Sequence, residues 1–362
     1  MFNGQMRRGL ALAAVAAAAI LASCATDEAP APPPPAPPPP PPAVSMNEGV
    51  AQAASIYVAF MREVGTIPPG GFTDAEAIQA AIRKGAAYEP AQLSRGMIAY
   101  GSILALQSPE FVQGVRTYAV DPATRQALIN RIIADPATAA TLPGADAADG
   151  LIVDTLRHDV AAMVLIADGV EGDAYTIQER RDPRRRWATT HIPNRDVRLQ
   201  GAKALSAAQM LPSAEESARL FAAANSGSGL SIGPSRSGPP YTPAVVRSLA
   251  LAALAALGAG GDDHRTHTEA MTVDQNSEFC LNMYKLMLFQ CLAASRPSYE
   301  DMFCVGRHIA RDLSTCTAQN ITPIPAEIAP TAVAGTETAA PSVAADAAAA
   351  STVATASLNS SR

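Results

Sequence analysis

The chain has 362 residues, with 27 Lys and Arg against 33 Asp and Glu for a formal net charge of -6, and only 5% of its residues are aromatic. That balance excludes the strongly basic face that bulk nucleic-acid binding needs, so no nucleic-acid partner is expected. The scarcity of rings argues against a sugar groove lined with stacking side chains. Basic residues are almost all Arg, Lys occurring only at positions 84, 203 and 285, a skew that carries no functional weight at this stage.

In chain order, Arg7 and Arg8 precede an apolar run from Leu10 to Leu21, the anatomy of a secretory signal and too short to span a bilayer comfortably. The next residues, Leu21-Ala22-Ser23-Cys24, resemble the lipobox of bacterial lipoproteins. The resemblance covers the N-terminus only. It implies a diacylated Cys24, a leader cut just before it and an acylated new N-terminus; an ordinary secretory cut at the small residues beside it is the alternative. From Pro30 to Pro42 every residue is Pro except Ala31 and Ala36, a composition that favours extended polyproline II. At about 3.1 Å per residue it reaches roughly 40 Å, enough to stand a folded body off a membrane. In lipoproteins an Asp after the Cys marks inner-membrane retention; here the residue is Ala25, so the resemblance implies the outer membrane, with the body facing the periplasm.

The expected organisation is a signal over 1–23, a lipidated Cys with a Pro-rich spacer over 24–44, a helical domain over 45–261, a Cys-stapled helical hairpin over 262–319 and a disordered tail over 320–362. The fold class expected is all-α: an irregular multi-helix array followed by the stapled hairpin. Capping residues before Pro mark starts at Ser108-Pro109, Asp121-Pro122, Asp135-Pro136 and Thr242-Pro243. Thr73 to Glu76 and Ser213 to Glu216 have the capping-box pattern. Asp149 to about Glu179 reads as one long helix with Ile152, Leu156, Val160, Met163 and Ala167 on one stripe. Ala244 to Leu257 is apolar nearly all round, a buried central helix rather than a membrane span. Two loops interrupt the body: a basic one from Arg180 to Pro193, and one rich in Gly, Ser and Pro from Asn225 to Pro243 that is a candidate for mobility. The tail is Ala, Thr, Ser and Pro with no aromatic residue.

Setting Cys24 aside, Cys280, Cys291, Cys304 and Cys316 fall within one short segment, which in an exported chain predicts two disulfides. Thr272 to Gln275 and Ser298 to Asp301 mark two helix starts, and the short link between the helices makes them antiparallel. Cys280 and Cys291 on one helix would lie about 16 Å apart along its axis, beyond the roughly 7 Å limit for bridged Cα atoms. Cys304 and Cys316 are excluded alike, and crossed pairing needs parallel helices, so Cys280 with Cys316 and Cys291 with Cys304 remain. A four-thiolate metal site wants cysteines two to four residues apart, which the segment lacks.

The candidate chemistry is sparse. Asp262, His264 and His267, with His308 as a further arm, offer oxygen and nitrogen ligands to a divalent ion, but without the H-E-x-x-H spacing; a polar loop is the plainer reading. Arg180, Arg181, Arg184, Arg185 and Arg186 beside Trp187, the sole Trp, could bind phosphate or carboxylate, as in anionic lipid headgroups, lipopolysaccharide phosphates or an acidic partner; a solvated charged loop is the plainer reading. There is no nucleophile elbow, phosphate-cradling loop or dinucleotide fingerprint, and no cofactor is expected. An all-helical periplasmic protein invites comparison with lytic transglycosylases, whose signature is not visible. Two classes remain: a non-catalytic envelope lipoprotein that binds an envelope protein or the cell wall, which is favoured, and a periplasmic hydrolase using the Asp262 to His267 cluster or cleaving cell-wall glycan.

Overall fold

A computed structural model describes residues 40–180 and 183–323, with nothing described of the Arg180 side chain. The chain divides between Pro40 and Pro41, and all the helices belong to the second unit. Among the described residues there are thirteen α-helices and no β-strand, with two isolated bridges, Met46 to Gly260 and His191 to Pro297. In order they are α1 (Glu48–Val64), α2 (Ala75–Ala86), α3 (Pro90–Ala105), α4 (Pro109–Arg116), α5 (Pro122–Ala134), α6 (Ala145–Arg180), α7 (Arg195–Ala207), α8 (Ala214–Ser226), α9 (Pro243–Ala256), α10 (Arg265–Met271), α11 (Gln275–Ala294), α12 (Ser298–Val305) and α13 (Asp312–Ile321). No described helix is long and apolar enough to cross a membrane.

Local chemistry sets most starts. Ser108, Asp121 and Thr242 each accept a hydrogen bond from the third backbone N–H beyond them, with Pro in the first turn. Asp135 caps as expected but begins a short 3-10 turn, Pro136–Thr141, rather than an α-helix. Three expected boxes shift. Asp74, not Thr73, caps α2, and Asp274, not Thr272, caps α11, because Asp is as good an N-cap as Thr and stands nearer the first helical residue. Ser298 lies inside α12 and makes no cap, while its would-be box partner Asp301 is buried against Arg198. Ser213 caps α8 from outside it, but Glu216 turns to Arg62 and Arg219 instead of returning a bond.

At the centre lies α9, in which every residue from Ser248 to Ala256 is buried. It ends in a Schellman motif: the Ala259 N–H donates to Leu254 O and the Gly258 N–H to Ala255 O, with Gly258 at φ +73°. Glycine takes that conformation without strain. α3 packs on α9, where Ser248 Oγ lies 3.0 Å from the Ile98 carbonyl, and α1 runs along the other side of α3. A Cβ at Gly96 of α3 would lie 2.6 Å from Ala53 O of α1, so the two backbones approach as only glycine allows. The chain entering this core is clamped: Arg116 Nη1 donates to Pro42 O, Ser45 N to Ala255 O and Asn47 N to Gly260 O.

The long helix runs four residues further upstream than expected. In α6 the stripe of Ile152, Leu156, Met163 and Ala167 is buried, with Val160 packed partly against the core; 36 residues make it about 54 Å long. α12 and α13 lie along it, joined by a π-helical turn, Gly306–Arg311. Arg311 pins that turn to α6 through Glu171 and Asp168, both at 2.7 Å.

The cysteines pair in nested fashion, Cys280 with Cys316 and Cys291 with Cys304, each with a Cα separation of 5.8 Å. The stapled hairpin does not carry a core of its own. Leu281, Leu288, Leu292, Cys304 and Cys316 belong to the same hydrophobic cluster as Val50 and Leu254. The folded body also passes the expected limit at 319: Asn320 and Ile321 are helical and buried, and Asn320 Nδ2 donates to Ser277 Oγ at 3.1 Å. The expected leader, Cys24, most of the spacer and the tail beyond Pro323 lie outside the described residues.

Candidate functional site

A cleft of about 440 Å³ lies at the start of α6, walled by Gln107, Ser108, Pro109 and Glu110 on one side and by Ile232, Pro234, Ser235 and Arg236 on the other, with Ala147 and Leu151 of α6 also lining it. The Gly-, Ser- and Pro-rich segment expected to be mobile forms this second wall and is tied down. Ser237 N donates to Asp146 O at 3.0 Å, and Arg236 bridges Glu110, at 2.6 Å, and Asp146. Gly150 on α6 lets the segment approach, since a Cβ there would lie 2.4 Å from Arg236 N. The Asp146 carboxyl is held below its usual range by hydrogen bonding from Arg236. Behind the wall Asp149 is buried, and burial pushes its carboxyl up to about 6 against an opposing hydrogen bond from Ser237. Gln107 donates through Nε2 to Ile103 O and Ala223 O, while its buried Oε1 meets no donor among the described residues. Apolar walls with a charged rim suit recognition of a chain or small polar group.

The sequence-derived ligand candidates are not brought together. Asp262 pairs with Arg265 at 2.7 Å, and His267 is exposed. His308 sits on the π-helical turn with its Nδ1 2.9 Å from Asp312 and its ring edge-on to Phe303. Among the described residues no group of three or more His, Cys, Asp and Glu is placed to hold a metal ion, so Asp262, His264, His267 and His308 do not form the site their spacing suggested.

The basic loop becomes a 3-10 turn, Pro183–Thr189. Arg181 lies outside the described residues. Arg185 is drawn onto α6 by Asp173, Trp187 packs partly against the core, and Arg184 and Arg186 are exposed. The turn feeds a brace on the hairpin: Ile192 N donates to Arg296 O, Ser298 N to Thr190 O, and Arg195 caps the end of α11 through the Ala293 and Ser295 carbonyls. Arg198 completes it, reaching Asp301, Leu292 O and Ser295 Oγ in the interior.

Two groups were invisible in the sequence. Lys285 is buried, its ammonium donating to the Tyr88 and Ser206 carbonyls and lying 3.7 Å from the Tyr88 ring centroid. Burial pushes its pKa down to about 7, with Glu89 opposing. The pair Arg198–Asp301 has side chains only 5% and 0% exposed. Neither opens into the cleft, and both brace the hairpin on the array. No protein-family model, curated protein or solved structure matches the chain.

Proposed function

We propose that the chain is a lipid-anchored envelope protein, held at the outer membrane through Cys24, whose helical body is a non-catalytic binding module in the periplasm for an envelope protein or cell-wall polymer. Export is supported by the lipobox resemblance, by the Pro-rich spacer and by the two disulfides, since such bonds persist in oxidising compartments. The observation that carries binding rather than chemistry is the cleft. Its charged rim residues Glu110, Asp146 and Arg236 are spent on one another across three chain segments. That pairing fixes the walls and makes a pre-formed surface of the kind recognition uses.

The test has two arms in intact cells. Mass spectrometry of the mature N-terminus should find an acylated Cys24, and Cys24→Ser should leave the membrane fraction or stay unprocessed; an intact leader on the wild-type chain would defeat the anchor. A photo-crosslinking residue at Pro234, on the cleft wall, should form a discrete adduct that the same residue at the exposed Val120 does not. Identical adduct patterns from both positions would defeat the cleft as the binding surface.

A further inference from the structure

The outward side of α11 holds Phe279, Met283, Leu286 and Met287 at 66%, 37%, 56% and 37% exposure. The other exposed positions along the helix are Gln275, Asn276, Asn282, Gln290, Ala293 and Ala294, so the whole face carries no charge. On one flank of the helix Glu278 is turned to Arg95, and further along the same flank Lys203 lies over the Phe289 ring. Positions 276, 279, 283, 286, 290 and 293 follow the alternating three- and four-residue spacing of a coiled-coil seam. The helix is itself immobilised by two disulfides and by Arg195, so presenting this seam costs little ordering.

From this geometry we propose that α11 is a homodimer interface, pairing antiparallel with α11 of a second copy of the chain about a two-fold axis near Tyr284 and Lys285. A two-fold contact must be self-complementary, and this face is. In the antiparallel register Met283 meets Leu286, Phe279 meets Gln290 and Asn276 meets Ala293, each contact occurring twice. Large side chains then face smaller or flexible ones at both ends, and the helix dipoles run head to tail. A charged partner surface would gain nothing here, whereas a second copy brings no like charge against like. The seam is a single helix of about 30 Å, so the interface is small and the association weak, with half-dimerisation on the order of 10 to 200 µM.

Sedimentation analysis of the purified full chain carrying Cys24→Ser, which removes any lipid contribution, tests this under non-reducing conditions. The parent chain should pass from monomer to dimer within that range. Met283→Lys or Leu286→Glu alone should weaken dimerisation at least about tenfold. The double variant M283K/L286E should recover it to within about threefold, because antiparallel pairing sets each Lys against the partner's Glu, whereas parallel pairing would set like against like. Both side chains are replaced on the exposed face, so the monomer should melt as before; Leu286→Gln repeats the test if a charged variant melts early. A parent chain monomeric throughout, or single variants that dimerise unchanged, would overturn the interface. A double variant that stays monomeric would overturn the antiparallel register.

Discussion

Arg198→Met should be among the most damaging single substitutions outside the close-packed helices. The guanidinium reaches from α7 to the Asp301 carboxylate on α12, and it also satisfies Leu292 O at the end of α11. The Asp301 side chain is 0% exposed, so removing the cation strands a charge that water cannot reach. Breaking one partner of a buried pair costs about 3 to 5 kcal/mol. Gln79 Nε2 at 2.8 Å and Ser295 Oγ at 2.6 Å still donate to the carboxylate, which places the expected loss near the lower bound, about 3 kcal/mol. For a body of this size that lowers Tm by about 6 °C, readable by circular dichroism under non-reducing conditions, with urea unfolding as a check. The apolar double replacement R198M/D301L should recover most of the loss, because desolvation is then no longer opposed. A loss under about 1 kcal/mol for the single variant, or a double variant no better than the single, would show that the pair does not brace α7 on the hairpin.

Lys285 gives a pH signature. Its folded pKa lies near 7 against 10.5 for the free side chain, so between those values the unfolded chain binds the extra proton and stability rises with pH, by at most about 1.4 kcal/mol per unit. Lys285→Met should abolish that rise in urea titrations from pH 7 to 9, and a parent chain flat over the same interval would refute the burial. Asp149 acts in the opposite sense: its carboxyl is raised from 3.8 to about 6, so its contribution falls as pH climbs through that window. Asp149→Asn should therefore stabilise the protein at pH 7 by about 2 kcal/mol, and no gain in thermal unfolding would mean that Ser237 and its neighbours already compensate the charge. Reduction should hurt most through the outer bridge, because a separation of 36 residues restricts the unfolded chain more than one of 13, about 3.8 against 2.9 kcal/mol. In C291S/C304S, non-reducing peptide mapping should still find Cys280 joined to Cys316; free thiols there would contradict the antiparallel hairpin. Replacing the exposed Arg184 and Arg186 with Ala should weaken binding to anionic vesicles in a salt-dependent way, and unchanged binding would leave the loop a solvated one.

What could be read from the sequence was whatever depends on neighbours a few residues away. Ser108, Asp121 and Thr242 announce their helices because a cap needs only the next turn, and the nested cysteines follow from spacing along two antiparallel rods. Where two capping residues compete within a few positions, as Thr73 with Asp74 or Thr272 with Asp274, local pattern does not say which one wins. Lys285 escaped notice because its acceptors, Tyr88 O and Ser206 O, come from segments 197 and 79 residues away. The cleft escaped for the same reason: its rim joins Glu110, Asp146 and Arg236 across 126 residues. The bare face of α11 was hidden differently. Leu281, Leu288 and Leu292 point inward while Phe279, Met283 and Leu286 point outward, so the helix is apolar on both sides and shows no stripe that distinguishes core from surface.

The 36-residue helix α6 acts as a ruler between the two ends of the body. Ala147 lines the cleft at one end, while Asp173 holds Arg185 of the basic turn near the other, a span of about 39 Å along one rod. No small molecule bridges that distance, so only a partner as large as a protein or a polymer could touch both. The spacing between cleft and basic turn is fixed by the rod, which Arg311 stiffens from the side by gripping Asp168 and Glu171.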